Sequence, residues 1–163
     1  MPLVVPDPLN PRYSYGAGKL ISEVMAINYG RKFFQRVLIF RPHNVYGPDI
    51  GFEHVNPQFA LRLYTTAKAQ SAGRLRFGIQ GTGVETRSFC FIDDLVAGVI
   101  TVRDKGEHLG IYNLGIMEEV SIADLAHRAH YAGREIAPAA GPPAEGGTPR
   151  RSPDISKVER LRL

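Results

Sequence analysis

Cysteine is nearly absent from this chain. Cys90 stands alone, and a single thiol excludes an internal disulfide. No cysteine–histidine cluster has the spacing of metal ligands, so no metal is expected. No apolar run approaches the ~18 residues that a membrane span requires. The first residues, Met1-Pro2-Leu3-Val4-Val5-Pro6, have neither the basic segment nor the apolar core of a secretory leader. These absences predict a cytoplasmic protein. No internal repeat is visible. A dominant charge sign is missing too: 20 basic residues are interspersed with 16 acidic ones, for a net charge of +4. Without a stripe of alternating aromatic and basic residues, that balance argues against a nucleic-acid partner. A small anionic ligand suits it better, because guanidinium groups grip diphosphates through forked hydrogen bonds.

What is present describes one folded unit. At 163 residues, 44% hydrophobic and 22% charged, the chain is long enough for a real core. Residues 1–12 are proline-rich and read as an extended loop. A helix is predicted from about 14 to 31. The apolar run Val37-Leu38-Ile39-Phe40 predicts a buried parallel strand, broken by Pro42, Gly47 and Pro48. A second helix should lead from Pro57 to about Ser71, followed by a short strand at Leu75-Arg76-Phe77. Asp93 and Asp94 have the chemistry of N-caps for a helix running to about Asp104. Ile111-Tyr112-Asn113-Leu114 is another strand. Ser121 should cap a helix that Gly133 ends. Residues 138–149, rich in proline, glycine and alanine, read as a flexible loop, and Ile155 to Leu163 has helical spacing. The order is α/β. The two apolar strands belong in a parallel sheet that leaves edges or faces bare, which favours association.

Chemistry concentrates first at Tyr15 and Lys19. Four residues apart in a predicted helix, they share one face. An ammonium about 5 Å from a phenol stabilises the phenolate by about 3 kcal/mol at an effective dielectric of ~20. That is the adjustment a phenol needs to exchange protons near neutral pH.

The spacing Tyr15-x-x-x-Lys19, preceded by Pro11-Arg12-Tyr13-Ser14, resembles the active-site helix of extended short-chain dehydrogenases/reductases. More narrowly it resembles their NAD-dependent nucleotide-sugar epimerase/dehydratase branch. Later segments agree in order: Arg41-Pro42-His43-Asn44-Val45-Tyr46-Gly47-Pro48, Gly81-Thr82-Gly83-Val84-Glu85-Thr86-Arg87-Ser88-Phe89, Phe91-Ile92-Asp93-Asp94-Leu95, Tyr112-Asn113-Leu114-Gly115, and the stretch from Arg150 to Lys157. The resemblance covers nearly the whole chain. It implies a partial Rossmann-like fold with the smaller substrate-binding subdomain, and residues 1–163 as the C-terminal portion of such an enzyme.

Site roles follow from the resemblance alone. Tyr15 would exchange a proton with a sugar hydroxyl, and Lys19 would bind the nicotinamide ribose of NAD. Pro42 and His43 would line the nicotinamide, although a histidine in such a loop has no acid/base role by itself. Asn44 would hydrogen-bond a nucleotide diphosphate-sugar. His54 and Val55 would pass along the base, with Asn56 departing from the usual aliphatic residue. Gln80 stands where a base edge is often read; taken alone it is a polar turn residue. Arg87 would grip the diphosphate, the alternative being a surface ion pair with Glu85. Arg151 and Asp154 match an Arg-x-x-Asp element that meets phosphate and ribose or sugar. Gly18 replaces a frequent serine.

One family feature is missing from these residues. No Gly-x-x-Gly-x-x-Gly turn, which holds the dinucleotide pyrophosphate at a helix N-terminus, occurs in the sequence, and no serine or threonine partner precedes the tyrosine at the family's place. The expectation is therefore the substrate-binding portion of a nucleotide-sugar epimerase or dehydratase, with 4-epimerisation favoured and no turnover by this chain alone. A non-catalytic nucleotide-sugar-binding module is the alternative, and relatives suggest a homodimer through the tyrosine helix.

Overall fold

The computed structural model describes residues 7, 9–70, 72–129, 131, 133–143 and 147–162, the Arg12 side chain excepted. A short 3-10 turn, Pro11–Tyr13, leads into α1 (Ser14–Phe33). There follow β1 (Leu38–Pro42), β2 (Val45–Tyr46), α2 (Val55–Ala69), β3 (Leu75–Gly78), β4 (Thr86–Arg87), β5 (Cys90–Phe91) and α3 (Ile92–Lys105). The chain continues through β6 (Gly110–Leu114), β7 (Val120–Ser121), α4 (Ile122–Arg128), β8 (Ile136–Ala139), β9 (Arg150–Arg151) and α5 (Ser156–Glu159).

The two apolar runs pair as predicted. β1 and β6 lie parallel, with Ile39 opposite Ile111 and Arg41 opposite Asn113. Parallel pairing also joins β2 to β5 and β3 to β8, while β4 sits between antiparallel β7 and parallel β9. Parallel strands need crossovers, and α2 and α3 supply helical ones.

Two apolar clusters result. Phe59 and Leu63 of α2 pack on Leu75, Phe77 and Ile79, with Ala126 of α4 and Ile136 of β8 closing the other side. Their spacing at i and i+4 is what puts Phe59 and Leu63 on one helix face. The second cluster joins Val102 of α3 to Tyr112 and Leu114 of β6 and to Ile155 and Val158 near α5. Tyr112 is buried with its hydroxyl satisfied, accepting from the Glu107 backbone N–H at 2.9 Å.

α1 behaves differently. Gly30 is its one buried residue among those described, because a Cβ there would come within 2.8 Å of Val37 and 2.9 Å of Leu109. Ile21, Val24, Met25, Tyr29 and Phe33 stay exposed, as does Phe40 on β1. The sequence predicts bare edges or faces on the two apolar strands; among these residues only Phe40 belongs to one of them, and the rest lie on α1.

Several boundaries differ from the sequence reading. Asp93 and Asp94 are not N-caps: α3 starts at Ile92, and the two carboxylates occupy its first turn. There they still favour the positive end of the helix dipole. Gly133 does not end a helix, since α4 stops at Arg128 and Gly133 lies in the Tyr131–Arg134 turn. Ser121 caps α4 as expected, its Oγ accepting from the Asp124 N–H at 3.0 Å. The predicted loop from residue 138 begins inside β8, and only Ser156–Glu159 of the last stretch is helical.

Candidate functional site

The order of residues along one groove follows from hydrogen bonds between successive loops. The loop after β1 turns at Asn44, whose backbone is left-handed (φ 40°). Its Nδ2 donates to the Ser88 carbonyl at 2.9 Å, and its carbonyl accepts from Cys90 N–H at 3.2 Å. Ser88, almost fully buried, donates its backbone N–H to the Arg151 carbonyl at 3.2 Å. In the β4–β9 ladder Arg87 lies directly opposite Arg151. Partners in a parallel ladder share a face, so Arg87 and Arg151 are on the same face of the sheet, and both line the same cavity. Like charges at such positions repel unless an anion lies between them. Arg87 Nη1 donates to the Thr86 carbonyl at 2.7 Å and the Pro149 carbonyl at 3.4 Å, and Arg151 Nη2 reaches Thr148 Oγ1 at 3.4 Å.

Beyond the arginine pair comes the turn Gly81-Thr82-Gly83. Both glycines have positive φ, at 82° and 91°. The Glu85 carboxylate accepts from Thr82 N–H at 3.2 Å and Gly83 N–H at 2.8 Å. Backbone N–H groups, its own first and then those of Thr82 and Gly83, hold this carboxyl below the usual range. Glu85 therefore closes its own turn. Reciprocal backbone bonds, Gly81 N–H to Pro142 O and Gly141 N–H to Gly81 O, both 3.1 Å, bring the loop after β8 against this turn.

These elements enclose a cavity of about 640 Å³, within the ordinary range for small-molecule sites. Of the residues singled out in the sequence, Asn44, His54, Val55, Gln80, Arg87 and Arg151 line it. Tyr15, Lys19, Pro42, His43 and Asp154 do not. Asp154 is engaged elsewhere: its carboxylate accepts from Ser156 N–H at 2.9 Å and Ser156 Oγ at 2.6 Å, and those bonds keep it below the usual carboxylate range.

Tyr15 and Lys19 do share a helix face, with Lys19 Nζ 5.2 Å from the centre of the Tyr15 ring. The phenol is 74% exposed. At the end of β1, His43 donates its backbone N–H to the Leu114 carbonyl at 2.9 Å. Burial pushes its imidazole below the ordinary histidine value; a hydrogen bond with Asn113 opposes that, and the charges of Arg151 and Arg41 add to it.

Sequence reasoning missed the α2 wall. Gln58, Phe59 and Arg62 join Val55 along the cavity, at positions i, i+3, i+4 and i+7 of one helix. That spacing was available in the sequence; what it faces was not. Arg62 Nη2 donates to the Gly78 carbonyl, and its guanidinium lies 4.8 Å over the Phe77 ring. Among the described residues no group of three His, Cys, Asp or Glu could hold a metal ion, and no helix is long and apolar enough to cross a membrane.

Known proteins resemble this chain in sequence and in fold. Residues 3–115 match the model of the NAD dependent epimerase/dehydratase family. The dTDP-D-glucose 4,6-dehydratase of Dictyostelium discoideum is 34% identical over 120 residues, covering 74% of this chain and 26% of the relative. UDP-glucuronic acid decarboxylase 2 of Arabidopsis thaliana is 31% identical over 159 residues, covering 95% and 34%. Among solved structures, the dTDP-glucose 4,6-dehydratase of Streptomyces venezuelae with NAD bound superposes with a TM-score of 0.68 at 28% identity, over 96% of this chain and 47% of that one. The UDP-glucose 4-epimerase of Thermotoga maritima, at 20% identity, shares the fold, with a TM-score of 0.74 over 91% and 47%. The chain thus spans between about a quarter and a third of the two curated relatives and about half of the solved ones.

Proposed function

The chain belongs to the NAD dependent epimerase/dehydratase family, and from that premise we propose that it carries the proton-transfer pair and the sugar-nucleotide cavity of an NAD-dependent nucleotide-sugar epimerase or dehydratase. The observation that supports this most is the facing pair Arg87 and Arg151 on adjacent strands. Two guanidinium groups on one face of a cavity suit a diphosphate, which each can grip with parallel bonds. Asn44 and Gln80 line the same cavity and bring amide groups that can bond the remainder of a nucleoside diphosphate-sugar.

Tyr15 and Lys19 fit the nicotinamide-ribose end of NAD. The phenol is open to a ligand, and the ammonium beside it has three N–H donors for ribose hydroxyls. These 163 residues hold no glycine-rich turn for the dinucleotide pyrophosphate, so on this reading the chain by itself turns over no substrate. When bound, NAD supplies the acceptor for the sugar's hydride. Tyr15 takes the proton of the sugar hydroxyl and later returns it. Lys19 holds its charge 5.2 Å from the ring centre. Pro42 and His43, at the carboxyl end of β1, would border the nicotinamide, and Asn44 would hydrogen-bond the sugar diphosphate. His54 and Val55 flank the base. Asp154 keeps its carboxylate on Ser156 and would meet a ribose or sugar hydroxyl through its remaining acceptor capacity.

Among possible outcomes we favour 4-epimerisation. It needs one proton-transfer group, whereas elimination or decarboxylation calls on further ones. The exposed apolar residues of α1 suit a second copy of the chain, which supports a homodimer.

The reading is tested by calorimetric titration of a uridine or thymidine diphosphate-sugar. Binding should be weakened by about 10-fold or more in Arg87→Ala, as expected for losing a charge-assisted contact. Equal affinity in the variant would overturn the assignment of the arginine pair.

A further inference from the structure

Glu119 lies outside the cavity, yet its carboxylate joins the strands that carry the arginine pair. In that sheet β4 is central, with β7 on one edge and β9 on the other. Thr86 pairs with Ser121 on one side and Arg150 on the other, and Arg87 with Val120 and Arg151. Glu119 stands immediately before β7. Its Oε2 accepts from Thr86 Oγ1 at 2.6 Å, and its Oε1 accepts from Arg150 Nε at 2.9 Å and Nη2 at 2.5 Å. One carboxylate thus reaches across the central strand from the β7 edge to the β9 edge. The Glu119 side chain is only 26% exposed, and neither it nor Thr86 nor Arg150 lines the cavity.

Such a tie matters because β9 is weakly built. It is two residues long, both exposed, at the edge of its sheet. Its backbone is held to the β4 side where the Pro149 carbonyl accepts from Thr86 N–H at 2.9 Å and the Arg151 carbonyl accepts from Ser88 N–H at 3.2 Å. Successive strand residues point to opposite faces. Thr86 and Arg150 therefore share one face, and Arg87 and Arg151 the other. A slip of one residue would exchange those faces and turn Arg151 away from the cavity. The charge-assisted fork on Arg150 resists that slip, since its bonds are both strong and directional. The Thr86 hydroxyl first, and then Arg150, hold the Glu119 carboxyl below the usual range, which keeps the fork charged at neutral pH.

We propose that Glu119 is a positioning residue for anion binding: by clamping Thr86 and Arg150 on the far face of the sheet, it sets the register that presents Arg151 with Arg87 to a diphosphate. The role rests on the diphosphate reading above. Its sign separates it from simple electrostatics. A carboxylate acting on the ligand through charge alone repels it, so removing that charge would strengthen anion binding. A positioning role predicts weaker binding instead, and the same direction for loss of Glu119 and of Arg150, although their charges are opposite.

The test titrates inorganic pyrophosphate and UDP calorimetrically into the unaltered chain, Glu119→Gln, Arg150→Ala, Arg151→Ala and the double variant Glu119→Gln/Arg151→Ala. Glu119→Gln and Arg150→Ala should each weaken pyrophosphate binding by about 5-fold or more. The double variant should stay within about 2-fold of Arg151→Ala, because a residue that acts through Arg151 has nothing further to lose. Hydrogen exchange on the same proteins without ligand should quicken at the Thr86 and Ser88 N–H groups, which bond to Pro149 and Arg151, while His43 N–H, bonded to Leu114, keeps its rate. Tighter pyrophosphate binding by Glu119→Gln would overturn the proposal, and so would additive losses in the double variant. Unchanged exchange at Ser88, or equal quickening at His43, would overturn it as well. Arg150→Ala, at a side chain 67% exposed, keeps the test open should Glu119→Gln fail to fold. Quickened exchange at Ser88 in a protein whose unaltered form binds neither pyrophosphate nor UDP would instead sink the diphosphate reading, and this role with it.

Discussion

The Arg41 guanidinium grips the Glu23 carboxylate with two bonds, Nη2 to Oε2 at 2.5 Å and Nε to Oε1 at 2.7 Å. The hydrogen bond to Glu23 raises the guanidinium's already high pKa further. This half-buried fork ties β1 to the middle of α1, the helix that bears Tyr15 and Lys19. Because α1 buries little else, the fork and the contact at Gly30 fix where the phenol stands relative to the carboxyl end of β1.

Glu23→Gln should therefore loosen α1 more than an exposed substitution would. A forked, charge-assisted pair that is partly screened from water is worth about 1–2 kcal/mol. Urea unfolding followed by circular dichroism should show that loss, and hydrogen exchange should quicken in α1 before it does in α3. An unchanged unfolding midpoint would show that the helix is held by other contacts.

Tyr15→Phe removes one oxygen from a side chain that is mostly exposed. In the NAD-loaded enzyme carrying this chain, turnover should fall by about 100-fold or more, the usual contribution of a positioned proton donor or acceptor. Affinity for UDP or TDP should stay within about 2-fold, since Tyr15 does not line the cavity. A variant that retains near-normal turnover would remove the phenol from the chemistry.

Stability should decline in two steps as pH falls. The His43 value is depressed by burial and by the Arg151 and Arg41 charges, so the unfolded chain takes up a proton near ~6.5 that the folded protein resists. Stability is thus lost as pH falls below that point. Glu85, Glu119 and Asp154 also have depressed values, held down by backbone bonds, by Thr86 and Arg150, and by Ser156 respectively. Their contribution is present above the unfolded carboxyl values of about 4 and fades as pH falls through the folded ones. Thermal melting between pH 8 and 3 reads both steps, and His43→Gln should flatten the first alone.

Gly83→Ala places a Cβ at φ 91°, within 2.7 Å of Ile79 Cδ1 and 3.0 Å of Ala123 Cβ. Backbone strain and overpacking together should cost about 1–3 kcal/mol. Displacing the turn should also move Gln80, so nucleotide binding weakens along with stability. Melting and titration on one sample would separate this from a purely local effect.

Legibility in the sequence followed the range of the interactions involved. The apolar runs of β1 and β6 and the Ser121 cap were readable because each depends on neighbours a few residues away, and Tyr15 with Lys19 because one helical turn joins them. The placement of Asp93 and Asp94 was misread because a carboxylate in the first turn and one at the N-cap satisfy the same helix end. The α2 wall of the cavity was invisible for a different reason: helical spacing shows that Gln58, Phe59 and Arg62 share a face, not what that face meets.

The order of segments, the helix that pairs a phenol with an ammonium and the surplus of interspersed cations are written in local sequence, because short-range geometry alone produces them. Which cations face each other was decided only by folding. Arg87 and Arg151 are 64 positions apart by number and meet because β4 and β9 pair in parallel register. That register comes from backbone hydrogen bonding and core packing across the whole chain, a long-range condition that no short stretch of residues contains.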